Sequence, residues 1–205
     1  MKLLIALYFF ILATIQLGLI LGIYHYHRSQ SELRPNPYWM GSFIVNILAL
    51  LIFGSGTLVI QSVQNPEFNF TIANSLFYIA AIFQLLFCKS LIGPISKRLQ
   101  YSFGLSAIIF MPTFEFLRLY GSYEIRTTFM CAIGIIFFSW QIMMLRRKRR
   151  SEPSQQLMYM QYATAVELCF SLGRLEGFSF KRFYYQQDGA NSATVDIVDC
   201  WAISY

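Results

Sequence analysis

Long apolar runs broken by short polar stretches dominate the chain. Residues 3–24 are mostly Leu, Ile, Phe and Ala, enough to cross a hydrocarbon core of about 30 Å at ~1.5 Å per residue in a helix. Further runs cover 41–61, 72–91, 101–120 and 125–145. Between them lie Arg28, Arg34, Pro35 and Pro37; then Gln64-Asn65-Pro66; then Lys89, Gly93, Pro94, Lys97 and Arg98; then a tight turn with Gly121 and Glu124. These are breaker and charge clusters of the kind that end helices. Residues 155–175 are less apolar, but Leu157, Met158, Met160, Val166, Leu168, Phe170 and Leu172 predict a sixth span that would carry Glu167 into the membrane. Residues 200–205 resemble the opening of a seventh. The expected fold is all-α: a polytopic transmembrane helical bundle over 1–175, followed over 176–205 by an outer-side loop, turning at Tyr184-Tyr185-Gln186-Gln187-Asp188-Gly189, and a truncated seventh span.

Lys2 gives the first run the look of a signal peptide. The run is longer than the usual h-region of roughly 7–15 residues, however, and no small-x-small cleavage site follows, so it is expected to be retained.

Composition agrees with a lipid-covered protein. Hydrophobic residues make up 56% of the chain and charged ones 13%, against about 25% charged in soluble domains, too few polar groups to cover a globule of this size. The net charge of +6 does not form a basic stripe on a soluble face, and no nucleic acid partner is expected. It marks topology instead. Alternate loops carry Arg28 and Arg34, then Lys89, Lys97 and Arg98, then the block Arg146-Arg147-Lys148-Arg149-Arg150, whereas the intervening ones have only Arg118 and Arg126 at their edges. By the positive-inside rule the basic loops face the cytoplasm and the N-terminus lies outside, with Lys2 the one residue pointing the other way. Tyr38, Trp39, Tyr101 and Trp140 fall near span ends, as an aromatic belt requires.

Ionisable residues inside the apolar runs are the candidates for chemistry, because charge at membrane depth is costly and faces a partner or a wet cavity. Glu115 and Arg118 are three apart and share a helix face. With Arg126, Glu167 and Arg174 they are the expected ligand-binding set, and the competing reading makes them interhelical glue and snorkelling interface residues. Pro112, one turn before Glu115, is expected to kink the helix and free a carbonyl beside that site. Gly18 and Gly22 form a GxxxG pair, and Gly54 and Gly56 flank Ser55 within a span; all four are assigned to helix packing, the first pair within the bundle or in a dimer. His25 and His27 point to different sides of a helix, and Cys88, Cys131, Cys169 and Cys200 have no zinc-site spacing, so no metal or cofactor is expected. No Ser-His-Asp set, HExxH, Walker loop or soluble carboxylate dyad occurs.

The stretches Asn36-Pro37-Tyr38-Trp39, Ala73-Asn74-Ser75-Leu76, Glu124-Ile125-Arg126-Thr127, Arg146 to Arg150 and Leu172-Gly173-Arg174-Leu175, in this order, resemble the N-terminal membrane sensor region of bacterial GGDEF-type diguanylate cyclases and of some sensor kinases. The resemblance covers about residues 1–175 at the level of pattern. It implies an N-out, seven-helix bundle whose last helix leads to a cytoplasmic catalytic domain. Here the seventh span breaks off and Gly-Gly-Asp-Glu-Phe occurs nowhere, so no catalytic residue carries over and the chain is not expected to be an enzyme. The expected function is a sensory or regulatory membrane module in which a small ligand shifts helix packing; the alternative is a small structural or assembly subunit of a larger membrane complex. Expected partners are membrane lipids, with a second copy of the chain as a homodimer or a larger complex beside them. A transporter ranks behind both, since no internal repeat or matched pair of broken helices is visible.

Overall fold

The computed structural model describes residues 2–29, 36–59 and 67–187, with side chains for 2–25, 36–59 and 67–175. Among them are six helices: α1 (Lys2–Ser29), α2 (Pro37–Val59), α3 (Phe68–Ile92), α4 (Lys97–Tyr120), α5 (Tyr123–Ser151) and α6 (Gln155–Gln187). The first five are long and apolar enough to cross a membrane; α6 is not among them.

Local chemistry sets the boundaries. Asn36 caps α2, its side-chain oxygen accepting from the Tyr38 N–H at 3.0 Å, and Pro37 takes the first helical position, where no intrahelical donor is needed. Ser96 and Ser122 cap α4 and α5 by accepting from the backbone N–H of Leu99 and Ile125. The connection between α4 and α5 requires glycine: a Cβ at Gly121 would lie 2.5 Å from the Leu117 carbonyl oxygen, which the Gly121 N–H already meets at 2.8 Å. Glu124 in the first turn of α5 and Lys148, Arg149 and Arg150 in its last complement the helix dipole.

The helices form an arc. Going round it, α1 packs on α2, α2 on α3, α3 on α5 and α5 on α6, while α4 lies against α3 and α5. One apolar cluster joins Ile5, Phe9 and Ala13 of α1 to Leu50 and Phe53 of α2 and Ala73 of α3. The other joins Leu85, Leu86 and Cys88 of α3 to Phe137, Met144 and Leu145 of α5 and Leu157 of α6. Tyr78 of α3 stacks on Phe110 of α4, ring centroids 4.1 Å apart and planes 4° from parallel.

Two differences from the sequence-based expectations follow. First, α6 does not give way to a loop after residue 175; it runs to Gln187, because no proline and no turn pair interrupts the chain before Asp188-Gly189. Its 33 residues would measure about 50 Å, far more than a hydrocarbon core. Second, Gly18 and Gly22 do not pack within the described bundle: a Cβ added at either meets nothing within 4 Å, since α1 packs through Ile5, Phe9 and Ala13 and turns its GxxxG face away. By contrast a Cβ at Gly54 would approach Phe9 Cβ at 3.2 Å, and one at Gly56 the Phe70 ring at 3.4 Å. Pro112 stands inside α4, which is helical on both sides of it. Residues 200–205, expected to begin a seventh span, and the end of the expected outer loop, including Asp188-Gly189, lie outside the described residues.

Candidate functional site

The concave side of the arc is a cleft of about 980 Å³, within the usual range for small-molecule sites. Five helices face it and α4 contributes only Phe114. Each presents one stripe. On α3 the lining residues include Phe70, Asn74, Phe77, Ala81, Gln84 and Cys88, and on α6 they include Met160, Thr164, Glu167, Ser171 and Arg174; spacings alternating between three and four keep a stripe on a single helix face. Among the described residues α1 and α6 make no close backbone approach to each other, and each stands at one end of the arc with its backbone close to a single neighbour.

The five ionisable candidates fall into two groups. Glu115 and Arg118 do not line the cleft; they form a clasp. Arg118 grips the Glu115 carboxylate with both arms, Nη2 to Oε1 at 2.6 Å and Nε to Oε2 at 2.9 Å, the bidentate geometry that makes such a pair strong. Fully buried Thr71 on α3 donates its hydroxyl hydrogen to Oε2 at 2.6 Å, so the pair also ties α4 to α3. Arg126, Glu167 and Arg174 do line the cleft. Arg126 is buried and its Nη1 donates to the Arg118 carbonyl at 3.0 Å, connecting cleft and clasp. Arg174 interacts with the Tyr123 hydroxyl at the start of α5.

Charge alone did not reveal the amides. Asn46 and Gln16 bond to each other across α2 and α1 at 3.0 Å, and Asn74, Gln84 and Gln141 also face the cleft. Gln141 has no exposed surface, and neither Nε2 nor Oε1 has a hydrogen-bond partner. The signal was available: an amide inside an apolar run is costly to bury unless something pairs with it. At the other face of the α5–α6 turn, Arg146, Arg149, Arg150 and Gln161 surround a smaller hollow of about 380 Å³.

Cys88 and Cys131 are buried and Cys169 is exposed, all three unbridged, and Cys200 lies outside the described residues. Among the described residues no group of three or more His, Cys, Asp and Glu is placed to hold a metal. His25 is the last residue of α1 whose side chain is described, and the side chain of His27 lies outside the described ones.

Comparison with protein-family models, with curated proteins and with solved structures gives no match to this chain. Helix length and composition carry the assignment by themselves: this is a multi-pass α-helical membrane protein.

Proposed function

We propose that the protein is a ligand-sensing module of a bacterial inner membrane, in which a small amphipathic molecule occupies the cleft and draws α1 and α6 together. The observation that carries this reading is the cleft itself. Arg126 and the amides Gln16, Asn46, Asn74, Gln84 and Gln141 lie on helices otherwise apolar enough for lipid, with Glu167 and Arg174 facing the same cleft from α6, and such groups at membrane depth mark binding sites and pathways. The arc supplies the moving parts, since the backbone of α1 comes close to α2 alone and that of α6 to α5 alone among the described residues. A ligand that touches both end helices binds the closed arrangement better than the open one, and that differential affinity supplies the shift. The long α6 would transmit it past the bundle. In this reading the end bearing Arg146 to Arg150 is cytoplasmic.

Spin labels at Leu4 and Leu172, both exposed, in a variant whose native cysteines are replaced by alanine, report the separation of the end helices. Adding a lipid extract of the host membrane should shorten that distance. An unchanged distance distribution with every fraction of the extract would remove the sensing reading.

A second reading, a subunit of a larger membrane complex, draws on the open space around Gly18 and Gly22, where another helix can approach closely. Stoichiometric retention of a larger complex in mild detergent would favour it.

A further inference from the structure

Gln141 is the one fully buried side chain among the described residues whose polar atoms are both without a partner. Native proteins rarely leave such atoms unpaired, because desolvation is then uncompensated. Gln141 also lines the cleft, and a rotation of its side chain turns the covered amide toward a molecule held there. We infer that Gln141 recognises the head group of a membrane-soluble ligand carrying a neutral carboxamide or carboxylic acid on an apolar body. The inference rests on the cleft being a ligand site, as proposed above.

The chemistry of the amide selects the head group. A glutamine presents donor and acceptor side by side on one planar edge. A primary carboxamide or an un-ionised carboxylic acid presents the complementary pair and satisfies both atoms at once. An ester, ketone or ether accepts from Nε2 but leaves Oε1 bare, an ammonium does the reverse, and a carboxylate sets a second acceptor against Oε1. The surroundings favour a neutral head: Phe137, one turn away on α5, is buried, and Cys88 and Met160 are the apolar neighbours in the cleft wall. Gln141 precedes Arg146 by five residues, about 7.5 Å along the helix. The head therefore lies near the basic end, and the body extends along the cleft toward Arg126 and Arg174.

The test uses the full chain in phosphatidylcholine nanodiscs and hexadecanamide carrying a photoactivatable group on its chain, with labelled positions mapped by peptide mass spectrometry. Labelling is expected on α5 and α6 residues of the cleft wall. Unlabelled hexadecanamide should compete, as should hexadecanoic acid in acid but not in alkaline buffer, and methyl hexadecanoate should compete at least about tenfold less well. Gln141→Leu should cut labelling by about tenfold or more while melting at or above the wild-type temperature, since it removes an unpaired buried amide. A lower melting temperature for Gln141→Leu would show the amide to be paired within the fold and overturn the inference, and equal competition by the ester would do the same. Cleft labelling undiminished in Gln141→Leu overturns the role of Gln141 and leaves the cleft as a ligand site; labelling only outside the cleft in both proteins overturns both.

Discussion

Thr71 on α3 donates its hydroxyl hydrogen at 2.6 Å to Oε2 of Glu115 on α4, the same oxygen that accepts from Arg118 Nε. One carboxylate thus serves both an intrahelical ion pair and an interhelical bond. Glu115→Ala leaves the Arg118 guanidinium, largely shielded by the fold, without its anion, and should destabilise the protein by about 1.5–3 kcal/mol. Thr71→Val removes only the neutral donor and should cost about 1 kcal/mol. Replacing Glu115 and Arg118 together by leucine should recover much of the loss, because no uncompensated charge is left behind. Unfolding by SDS titration measures all three. Equal stability of the four proteins would mean that the clasp holds nothing.

The two glycine pairs should behave in opposite ways. Gly54→Val drives a side chain into Phe9 and the Ala6 carbonyl and should cost about 1–3 kcal/mol through overpacking. Gly18→Val and Gly22→Val point into open space and should leave monomer stability within about 0.5 kcal/mol. Size-exclusion chromatography of the same variants reports whether the open face pairs copies of the chain: loss of a dimer peak without loss of monomer stability would assign it that role.

Much of the fold was legible because hydrocarbon thickness dictates run length. The five apolar runs correspond to α1 through α5, the breakers Gly93, Pro94 and Gly121 fall between helices, and Pro37 opens α2. The ends were less legible, because hydropathy reports contact with lipid and not backbone hydrogen bonding. Arg146 to Arg150 are too polar for a membrane core yet continue α5 to Ser151, and α6 continues past residue 175 in the same way. At the candidate site, charge identified Arg126, Glu167 and Arg174 but also drew in Glu115 and Arg118, which the fold uses as a clasp. The amides escaped notice because each is one uncharged residue in an apolar run; only the arc reveals that Asn46, Gln84 and Gln141 look toward the same space.

Arg126 and Arg174 both face the cleft but differ in what else they hold. Arg126 is buried and bonded to the Arg118 carbonyl, so Arg126→Met should lower stability by about 1–3 kcal/mol, the cost of leaving a buried acceptor with one donor fewer. Arg174 is half-buried on the last described turn of side chains in α6. Arg174→Gln should stay within about 0.5 kcal/mol of wild type in SDS titration while weakening retention of a cleft ligand. A reversed order of the two stabilities would contradict the division of roles.

Orientation and the status of α6 can be read together from single-cysteine variants treated with a membrane-impermeant maleimide in intact cells. With the basic end inside, Ser154→Cys in the α5–α6 turn is protected and Tyr120→Cys, exposed at the other end of α4, reacts. Gln187→Cys should react as well if α6 crosses the membrane. Protection of Gln187→Cys alongside Ser154→Cys would place α6 on the cytoplasmic side, and the inverse pattern at Ser154 and Tyr120 would invert the topology.

Occupancy of the cleft is the central claim, and native mass spectrometry of the protein released from its own membrane tests it most directly. Wild-type protein should retain one small molecule per chain, and Ala163→Trp, which fills the cleft from α6 without altering a polar group, should lose it while remaining folded. A wild-type chain that emerges bare, or that holds the same molecule in Ala163→Trp, would contradict a ligand in the cleft.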